Sequence, residues 1–510
     1  MSEAKNNQLP QGWTQASLSE IAYVNMGQSP PSETYNPDGN GLPFFQGKTE
    51  FGNLYPTPKW WCTSPSKIAE KDDILLSVRA PVGPTNLAPS KSCIGRGLAA
   101  VRPEHGINLK YLLNGFRRYA SELDSKGTGT TFKAVSGKVV RDFIFPIAPS
   151  AEQERIADKL DELLSDLDAG VSALERVQAQ LKHYRAAVLK AAVEGSLTAA
   201  WRAKHPTTET ADALLTRILA ERRRRWEQTQ LQKYKEAGKE PPANWKDKYK
   251  EPTKPKLENL AGLPEGWCWV RLDQLLFEIE AGKSFTCEPR RAGPDEWGII
   301  KVSAMSWGEF DETENKAVPS AREIDPYYEI KPGDLLLSRA NTFELVGASV
   351  LVKDCRPRLL LSDKSMRLLY SPNIEKKWLK TVLGSPVIRR QISHKSTGTK
   401  EGMRNVSQEI ILDVLIPLAP AAECRAIVDA VEEQLSVIDH LEANLEAKLK
   451  SASALRQSIL RHAFTGQLVP QNPKDEPASE LLKRIAIERH KFTQKIKIAF
   501  KKLPKNRKGK

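Results

Sequence analysis

The feature that most constrains this chain is an internal duplication whose two copies keep a constant spacing in one part and a variable spacing in another. The segment 9–13 (LPQGW) returns as 263–267 (LPEGW), an offset of 254 residues. The segment 73–77 (DILLS) returns as 334–338 (DLLLS), an offset of 261. From Glu152 and Glu423 to Leu197 and Leu468 the offset stays at 271. The constant part therefore behaves as a spacer of defined length.

This constant part carries apolar residues at steps of three and four, the spacing of a helix that pairs with one other helix. Proline precedes each copy and glycine follows it, which predicts two helices of about 44 residues, ~65 Å long. We expect them to pack antiparallel within one chain, although pairing between two chains satisfies the same pattern. The residues predicted at the helix-pair interface are Leu160, Leu163, Leu167, Leu174, Leu181, Val188, Val431, Leu435, Ile438, Leu445, Leu455 and Ile459.

The parts with variable spacing contain short β-type runs, such as 74–78 and 335–338, separated by Gly, Pro and Ser turns. The predicted fold class is α+β: two mixed α/β domains joined by two long antiparallel coiled-coil helices in a pseudo-two-fold arrangement. The predicted division is 1–150 for the first domain, 151–197 for the first spacer helix, 198–262 for a central linker with a short helix and a basic tail, 263–420 for the second domain, 421–468 for the second spacer helix, and 469–510 for a basic C-terminal tail that repeats the start of the linker.

The formal net charge of +14 favours a polyanionic partner, but the charge is unevenly distributed. Residues 263–420 balance at 22 basic against 22 acidic residues, whereas residues 221–256 carry 12 against 6 and residues 483–510 carry 12 against 1. Such short basic segments are either solvated charge runs or phosphate-binding tails. Overall basicity by itself therefore does not locate a binding site.

The usual motifs of catalysis are missing from the sequence. Gly47-Lys48-Thr49 lacks the glycine that a phosphate-binding loop needs five residues earlier, where Leu42 stands, and no H-E-x-x-H or G-x-S-x-G motif occurs. The six cysteines form no C-x-x-C pair, and no apolar run approaches the ~20 residues of a membrane span. The N-terminal residues also lack a signal-peptide core. We therefore expect a non-catalytic, cytoplasmic protein without a metal site.

Three repeated groups of residues and one further segment occur in an order that resembles the specificity subunits of type I restriction–modification systems. The resemblance covers nearly the whole chain. Each variable domain opens with Gly-Trp, at 12–13 and 266–267. Each long helix is entered through Pro-x-x-Pro-x-x-Glu, ending at Glu152 and Glu423. The segments 195–199 (GSLTA) and 466–471 (GQLVPQ) follow the helices, and Asp475-Glu476-Pro477-Ala478 completes the pattern.

The resemblance implies that the chain binds double-stranded DNA and reads a split target, one half-site per recognition domain, with the helices setting the gap. It implies as partners two modification (methyltransferase) subunits and restriction (motor-nuclease) subunits. The complex would be a type I site-specific deoxyribonuclease and adenine-specific DNA methyltransferase. No cofactor is expected on this chain, and S-adenosylmethionine, ATP and Mg are expected on the partner subunits.

Candidate DNA contacts lie in loops that follow β-type runs or combine hydroxyl groups, lysines and glycines. Arg and Asn side chains form bidentate contacts to guanine and adenine, and Lys and Thr contact phosphates. The alternatives are surface salt bridges for the charged residues and ordinary turns for the loops. The candidates are Arg79, Arg96, Lys126, Thr128, Thr130, Thr131, Lys133, Arg339, Asn341, Lys395, Thr397, Thr399, Lys400 and Arg404.

Two other functions fit the same sequence. One is a coiled-coil scaffold whose α/β modules bind proteins, which would give no DNA-dependent protection in a footprint made with its partners. The other is the specificity subunit of a methylation-only system, which a cleavage assay distinguishes.

Overall fold

The computed structural model describes residues 9–129, 133–206, 209–258, 260–284, 286–306, 308–319, 323–400 and 402–502. These residues form two compact units. The first unit consists of the residues up to Glu175 and from Glu446 onward, and the second consists of Arg176–Leu445. Both divisions fall inside long helices, so each unit contains one variable domain and a part of each helix. Within the described ranges, no helix is both long and apolar enough to cross a membrane.

The first half of the chain alternates short strands and helices before the first long helix begins. In chain order its elements are β1 (Thr14–Ser17), α1 (Leu18–Ile21), β2 (Ala22–Met26), β3 (Tyr35–Asn36), β4 (Leu42–Phe45), β5 (Trp60–Cys62), β6 (Ile68–Ala69), β7 (Ile74–Ser77), β8 (Thr85–Leu87), β9 (Ser92–Ile94), β10 (Leu98–Pro103), α2 (Leu109–Ser125), α3 (Gly137–Arg141), β11 (Ile144–Ile147) and α4 (Ser150–Glu194).

The second half repeats this order after two linker helices. Its elements are α5 (Ala199–Lys204), α6 (Ala211–Glu236), β12 (Cys268–Arg271), α7 (Leu272–Leu275), β13 (Leu276–Ala281), β14 (Gly298–Ile300), β15 (Asn315–Ala317), β16 (Leu335–Ser338), β17 (Ala340–Asn341), β18 (Ser349–Leu351), β19 (Leu359–Leu360), β20 (Ser365–Tyr370), α8 (Lys376–Gly384), α9 (Pro386–Lys395), β21 (Thr397–Lys400), β22 (Met403–Asn405), α10 (Gln408–Leu412), β23 (Leu415–Leu418), α11 (Ala421–Ala463) and α12 (Ala478–Lys502).

The first unit is built on a four-stranded antiparallel sheet with the order β2-β10-β7-β8. Successive residues of a strand point to opposite faces, and all four residues of β7 are buried because both faces of the sheet are covered. Ile74 and Leu76 belong to the core that includes helix α2. Leu75 belongs to a second core, formed with residues of the five-stranded sheet β3-β5-β4-β9-β6.

The second unit has a matching sheet with the order β13-β20-β16-β18. Leu336 of β16 joins a core with Ile300 and Leu359, which come from a three-stranded sheet with the order β15-β14-β19. Strands β14 and β19 are parallel, as β4 and β9 are in the first unit. The two variable domains are therefore mixed α/β domains that share a central sheet, as the duplication predicts.

The long helices α4 and α11 have 45 and 43 residues, close to the predicted length. In the first unit, Asp168 of α4 pairs with Arg456 of α11. Arg155, which is closer to the start of α4, pairs at 2.6 Å with Asp475, which lies beyond the end of α11. Earlier residues of α4 thus meet later residues of the second repeat, so the helices run antiparallel in this unit.

The same direction is found within the second unit. Arg185 of α4 pairs with Glu442 of α11 at 2.9 Å. Thr198, just past the end of α4, donates a hydrogen bond to Glu423 near the start of α11 at 2.7 Å. Each unit therefore contains an antiparallel pair of helix segments from a single chain, which is the intramolecular alternative of the two that the sequence allows.

Each Gly-Trp sequence fixes the start of its domain to a long helix. The indole Nε1 of Trp13 donates to Glu152 at 3.0 Å, and that of Trp267 donates to Glu423 at 2.8 Å. Both tryptophans and both glutamates are buried. Because a buried carboxylate needs hydrogen-bond donors, the repeated Trp and Glu form one structural unit across a sequence separation of about 140–156 residues.

In each unit a further helix packs on the start of the variable domain. This helix is α12, which follows α11, in the first unit and α6, which follows α4, in the second. The amide of Ala478, at the start of α12, donates to the carbonyl of Gly12 at 2.8 Å. The amide of Ala211, at the start of α6, donates to the carbonyl of Gly266, also at 2.8 Å. Helix α6 has 26 residues and reaches Glu236, so it is longer than the short helix that the sequence predicts for the linker. Both basic segments therefore begin as helices docked on a domain.

Candidate nucleic-acid interface

In the first unit, segments that carry predicted DNA contacts meet just beyond the end of strand β7. The amide of Val78 donates to the carbonyl of Gly97 at 2.9 Å, and the carbonyl of Val78 accepts from the amide of Val135 at 3.0 Å. These bonds hold Arg79 between the turn that carries Arg96 and the loop that ends before residue 135. The fold thus brings together residues that lie more than 50 positions apart in the sequence.

The cationic side chains of this cluster differ in how they are partnered. Arg79 and Arg96 are exposed, and neither forms a salt bridge within the described part of the chain. Lys126 and Lys133 each pair with an acidic residue of α2, at 3.3 and 3.0 Å. Exposed ion pairs of this kind contribute only about 0–1 kcal/mol, so phosphates are able to replace the acidic partners. Arg79 and Arg96 are the side chains most available for base contacts.

The loop between Lys126 and Lys133 is closed by backbone pairing. Thr128 exchanges two hydrogen bonds with Ala134, both at 3.0 Å, and its side chain is exposed. Gly129 follows with a φ of 106°, a conformation that L side chains rarely adopt. Thr130 and Thr131 lie outside the described residues.

The second unit has the same pair of backbone hydrogen bonds, but they are made by a residue with a different side chain. The amide of Arg339 donates to the carbonyl of Lys364 at 2.8 Å, and its carbonyl accepts from the amide of Val406 at 3.0 Å. Arg339 thus occupies the position of Val78, and Ala340 occupies that of Arg79. We call this segment the reading edge: it carries Val78 and Arg79 in the first unit and Arg339 and Ala340 in the second. Two domains that share a backbone arrangement but differ in the side chains of the reading edge are suited to unrelated half-sites.

The predicted contacts of the second unit lie on a small sheet with the order β17-β22-β21. Arg339 is exposed and forms no salt bridge within the described ranges. Lys395 pairs with Asp413 at 2.5 Å, and this hydrogen bond lowers the pKa of the Asp413 carboxyl. Thr397, whose hydroxyl donates to a carbonyl of β22 at 3.4 Å, shares strand β21 with Thr399 and Lys400.

Asn341 and Arg404 are paired across this sheet and are only partly exposed. The side-chain amide of Asn341 donates to the hydroxyl of Ser306 at 3.4 Å, a weak hydrogen bond. The guanidinium of Arg404 lies 5.6 Å from the centre of the Phe343 ring, within cation–π range. Asn341 therefore retains polar capacity for a base edge, whereas Arg404 is already stacked on an aromatic residue.

Comparison with known proteins gives consistent results. Residues 10–176 match a family model described as the type I restriction modification DNA specificity domain. The EcoEI specificity subunit of Escherichia coli is 27% identical, over 90% of this chain and 84% of that relative. The EcoKI specificity subunit of Escherichia coli K12 is 24% identical, over 94% of this chain and 96% of that relative.

A solved structure also resembles the chain. The crystal structure of the HsdS subunit from Thermoanaerobacter tengcongensis matches 92% of this chain and 100% of its own length, at 19% identity and a TM-score of 0.43. Over nearly its whole length, this chain is similar to type I specificity subunits, and its residues 10–176 match their DNA specificity domain.

Most arginines of the basic run 222–225 form contacts within the protein. Arg222 donates to the carbonyl of Leu276 at 2.9 Å and pairs with Asp273 at 3.1 Å. The next two arginines pair with acidic residues, and the guanidinium of Arg225 lies 4.5 Å from the centre of the Phe277 ring. This part of the linker is therefore neither a solvated tail nor a set of free phosphate ligands.

Most residues of the predicted helix-pair interface are buried or partly buried. Six predicted residues are buried, and the others except Leu455 are partly buried. The buried ones are Leu160, Leu181, Val188, Val431, Ile438 and Leu445, and the partly buried ones are Leu163, Leu167, Leu174, Leu435 and Ile459.

Leu455 departs from the prediction because its side chain is 51% exposed, and Leu460 is the fully buried leucine near this end of α11. In the same way, Leu164 is more buried than the predicted Leu163. Leu164 and Leu460 both belong to the core of the first variable domain, so their burial follows from packing on that domain and not from the helix pair alone.

Arg389 lies near the reading edge of the second unit, but no pattern in the sequence marks it as part of the site. Arg389 of α9 donates to the carbonyl of Glu344 at 2.8 Å, and its second terminal nitrogen, Nη1, is buried without a hydrogen-bond partner among the described residues. Burial lowers its pKa to about 10, so the guanidinium remains charged at neutral pH. It supports the loop that carries Asn341 and Phe343, from a position more than 40 residues away in the sequence.

Among the described residues, no group of three or more His, Cys, Asp or Glu side chains is arranged to hold a metal ion. The segment Asp325-Pro326-Tyr327-Tyr328 has a structural role. The hydroxyl of Tyr327 donates to Glu280, which pairs with the buried Arg367 at 2.7 Å.

Proposed function

We propose that this chain is the sequence-specific DNA-binding subunit of a type I restriction–modification complex and reads a bipartite target, with one half-site for each variable domain. The observation that carries the proposal is the repeated reading edge. In both units the segment after the central buried strand is held by the same pair of backbone hydrogen bonds, through Val78 and Arg339. Exposed arginines without acidic partners lie at each edge, and their chemistry suits guanine edges and phosphates.

The two long helices support a fixed gap between the half-sites. A continuous helix transmits length at 1.5 Å per residue, and the sequence admits no insertion between its copies over 46 positions. Inserting or deleting a few residues within Val171–Leu181 is expected to change the spacer length or abolish assembly while both half-site sequences stay the same. Altered half-sites with an unchanged spacer would contradict this role.

The chain directs catalysis by its partners. We infer two modification subunits that carry S-adenosylmethionine, and restriction subunits that use ATP and Mg, acting together in the cytoplasm as adenine methyltransferase and site-specific deoxyribonuclease. Exposed apolar side chains on the long helices of the second unit support docking of partner helices. These are Val177, Tyr184, Val437 and Leu441, each between 42% and 54% exposed.

Methylation sequencing tests the function directly. The chain is co-expressed with its modification subunits in a host without other adenine methylation, and modified bases are mapped by single-molecule sequencing. The expected result is one asymmetric bipartite motif with a fixed spacer. A genome without such a motif, despite an assembled complex, would refute the proposal. A footprint with no DNA-dependent protection would favour a protein-binding scaffold.

A further inference from the structure

A groove of about 770 Å³ runs along strand β2 of the first unit. Strand β2 is the edge strand of the central sheet, so one side of its backbone has no neighbouring strand in the part of the chain that the structure describes. The charged side chains that line the groove are Lys67, Arg141, Arg489 and Glu104. Glu104 is the acidic member, and it pairs with Arg489 at 2.7 Å. The remaining charge of this groove, the β2 groove, is therefore positive.

The β2 groove leads to the reading edge. Gln28 lines one end, and its amide donates to the carbonyl of Ile94 at 3.1 Å. The adjacent hydroxyl of Ser29 accepts a hydrogen bond from the amide of Arg96 at 3.3 Å. One end of the groove thus lies next to a candidate base contact, and the other lies against helix α12.

Two cations of the groove are available for an external partner. Lys67 and Arg141 are exposed, and neither forms a salt bridge within the described residues. Acidic residues neutralise other basic positions of the unit, such as Lys133 with Asp124 at 3.0 Å. An exposed cation without an internal partner keeps its full attraction for a polyanion.

Helix α12 lies beside the groove and belongs to a strongly basic part of the sequence. Arg489 fixes the helix there by donating to the carbonyls of Ser19 and Ala22 and by pairing with Glu104. After Glu488 the sequence contains ten Lys and Arg residues and no Asp or Glu. The corresponding helix of the second unit differs, because acidic residues in and after α6 pair with its arginines.

We propose that the β2 groove binds the sugar–phosphate backbone of the DNA that flanks the half-site read by the first unit, with Lys67 and Arg141 as phosphate contacts. The proposal rests on the proposed function of the chain. Phosphate contacts of this kind fix the register of a protein on the duplex without specifying sequence. An unpaired strand edge also accepts an extended peptide, but the cationic lining and the adjoining basic helix favour a polyanion.

The test uses the complex of the full chain with its modification subunits and a duplex that lacks the target motif. The dissociation constant is measured over a series of salt concentrations for the unsubstituted complex and for a Lys67→Ala, Arg141→Ala double variant. Each lost phosphate contact reduces the slope of log affinity against log salt by about 0.9. The expected reduction is therefore about 2, with weaker binding at low salt and an unchanged methylated motif.

A matched control removes the same formal charge elsewhere. Arg223→Ala with Arg224→Ala takes away two arginines that already pair with Glu227 and Glu221. Since phosphates are able to replace the acidic partners of exposed ion pairs, this control is expected to reduce the salt slope by less than the groove variant does. Equal slopes for the groove variant and the unsubstituted complex would overturn the proposal. Loss of modification subunits from the groove variant, with an unchanged slope, would also overturn it, by making the groove a protein-docking surface.

A second variant tests the proposal independently if the double variant fails to fold. Truncation after His490 keeps Arg489 and removes nine Lys and Arg residues. It is expected to reduce the salt slope as well, and an unchanged slope would count against the proposal. A missing methylated motif in the unsubstituted complex would instead refute the function of the whole chain, so the two failures are distinguishable.

Discussion

The two units close the same junction, between a long helix and a variable domain, with different chemistry. In the first unit Phe464, at the end of α11, lies 4.9 Å from the ring centre of Tyr111 and 5.9 Å from that of Tyr119. At the constant offset of 271, the second unit has Val193 in the place of Phe464. The aromatic ring thus fills a space that the second unit closes with an aliphatic side chain.

The second unit instead has the more complete polar network. Glu423 accepts hydrogen bonds from Trp267 at 2.8 Å, from Thr198 at 2.7 Å and from Arg202 at 3.0 Å. Its counterpart Glu152 accepts from Trp13, and its Oε1 is buried with no hydrogen-bond partner among the described residues. Burial accordingly raises the pKa of Glu152.

The two junctions therefore share a backbone arrangement but are stabilised by different interactions. The first unit relies on aromatic packing and tolerates an incompletely solvated carboxylate. The second unit relies on a charge-assisted network and has a smaller apolar contribution. Since packing and hydrogen bonding contribute by different physical means, substitutions are expected to affect the two units unequally.

The largest expected effect comes from Phe464→Ala. Removing a buried aromatic ring costs about 3–5 kcal/mol, and the loss should be confined to the first unit. Val193→Ala, at the equivalent position, removes only two methyl groups and is expected to cost about 2 kcal/mol in the second unit. Hydrogen exchange of the full chain, followed by mass spectrometry, measures protection in each unit. Equal losses in both would contradict the comparison.

Glu423→Ala is expected to destabilise the second unit by about 3 kcal/mol, because it leaves three donors without their acceptor, including the Arg202 guanidinium. Glu152→Ala, the matched substitution, removes the acceptor of Trp13 and is expected to cost less. The readout is urea unfolding of the full chain combined with hydrogen exchange near residue 198. A smaller loss for Glu423→Ala than for Glu152→Ala would refute the argument from the network.

Substitutions at the reading edges should separate the two half-sites. Arg79→Ala is expected to relax sequence preference in one half of the methylated motif by about 1–3 kcal/mol, the discrimination that a bidentate contact provides. Arg339→Ala should do the same for the other half only. Methylation sequencing of both variants gives the measurement. Relaxation of both halves by a single substitution would argue against one half-site per domain.

The smallest effect concerns the pH dependence of the first unit. The folded-state pKa of Glu152 lies above its ordinary value of 4.5 because of burial, so its contribution to stability is fully present below that pH and is lost as pH rises through the folded-state pKa. Glu152→Gln should flatten this dependence and change stability at neutral pH by less than about 1 kcal/mol. Urea unfolding between pH 4 and 8, on both proteins, provides the comparison. An unaltered pH profile would exclude Glu152 as its origin.

Part of the candidate site was predictable from local sequence. Arg79 and Arg96 stand in short loops after buried β-type runs, and exposure of such residues follows from loop position. Their proximity to each other and to the loop before residue 135 was not predictable, because it depends on strand order. The partners of Lys133 and Lys395 likewise come from other elements of the fold.

By itself the sequence determined the duplication, the two long helices with their fixed length, the boundaries marked by Gly-Trp and by Pro-x-x-Pro-x-x-Glu, and the class of partner that the resemblance implies. Periodicity and spacing are local properties that a chain displays before it folds. Only the tertiary structure decided that Arg79 lies between the turn that carries Arg96 and the loop before residue 135, that Leu460 is buried near the end of α11 where Leu455 is exposed, and that Glu423 is fully partnered while Glu152 is not. These outcomes depend on contacts between distant segments, which exist only after strand order and helix rotation are set.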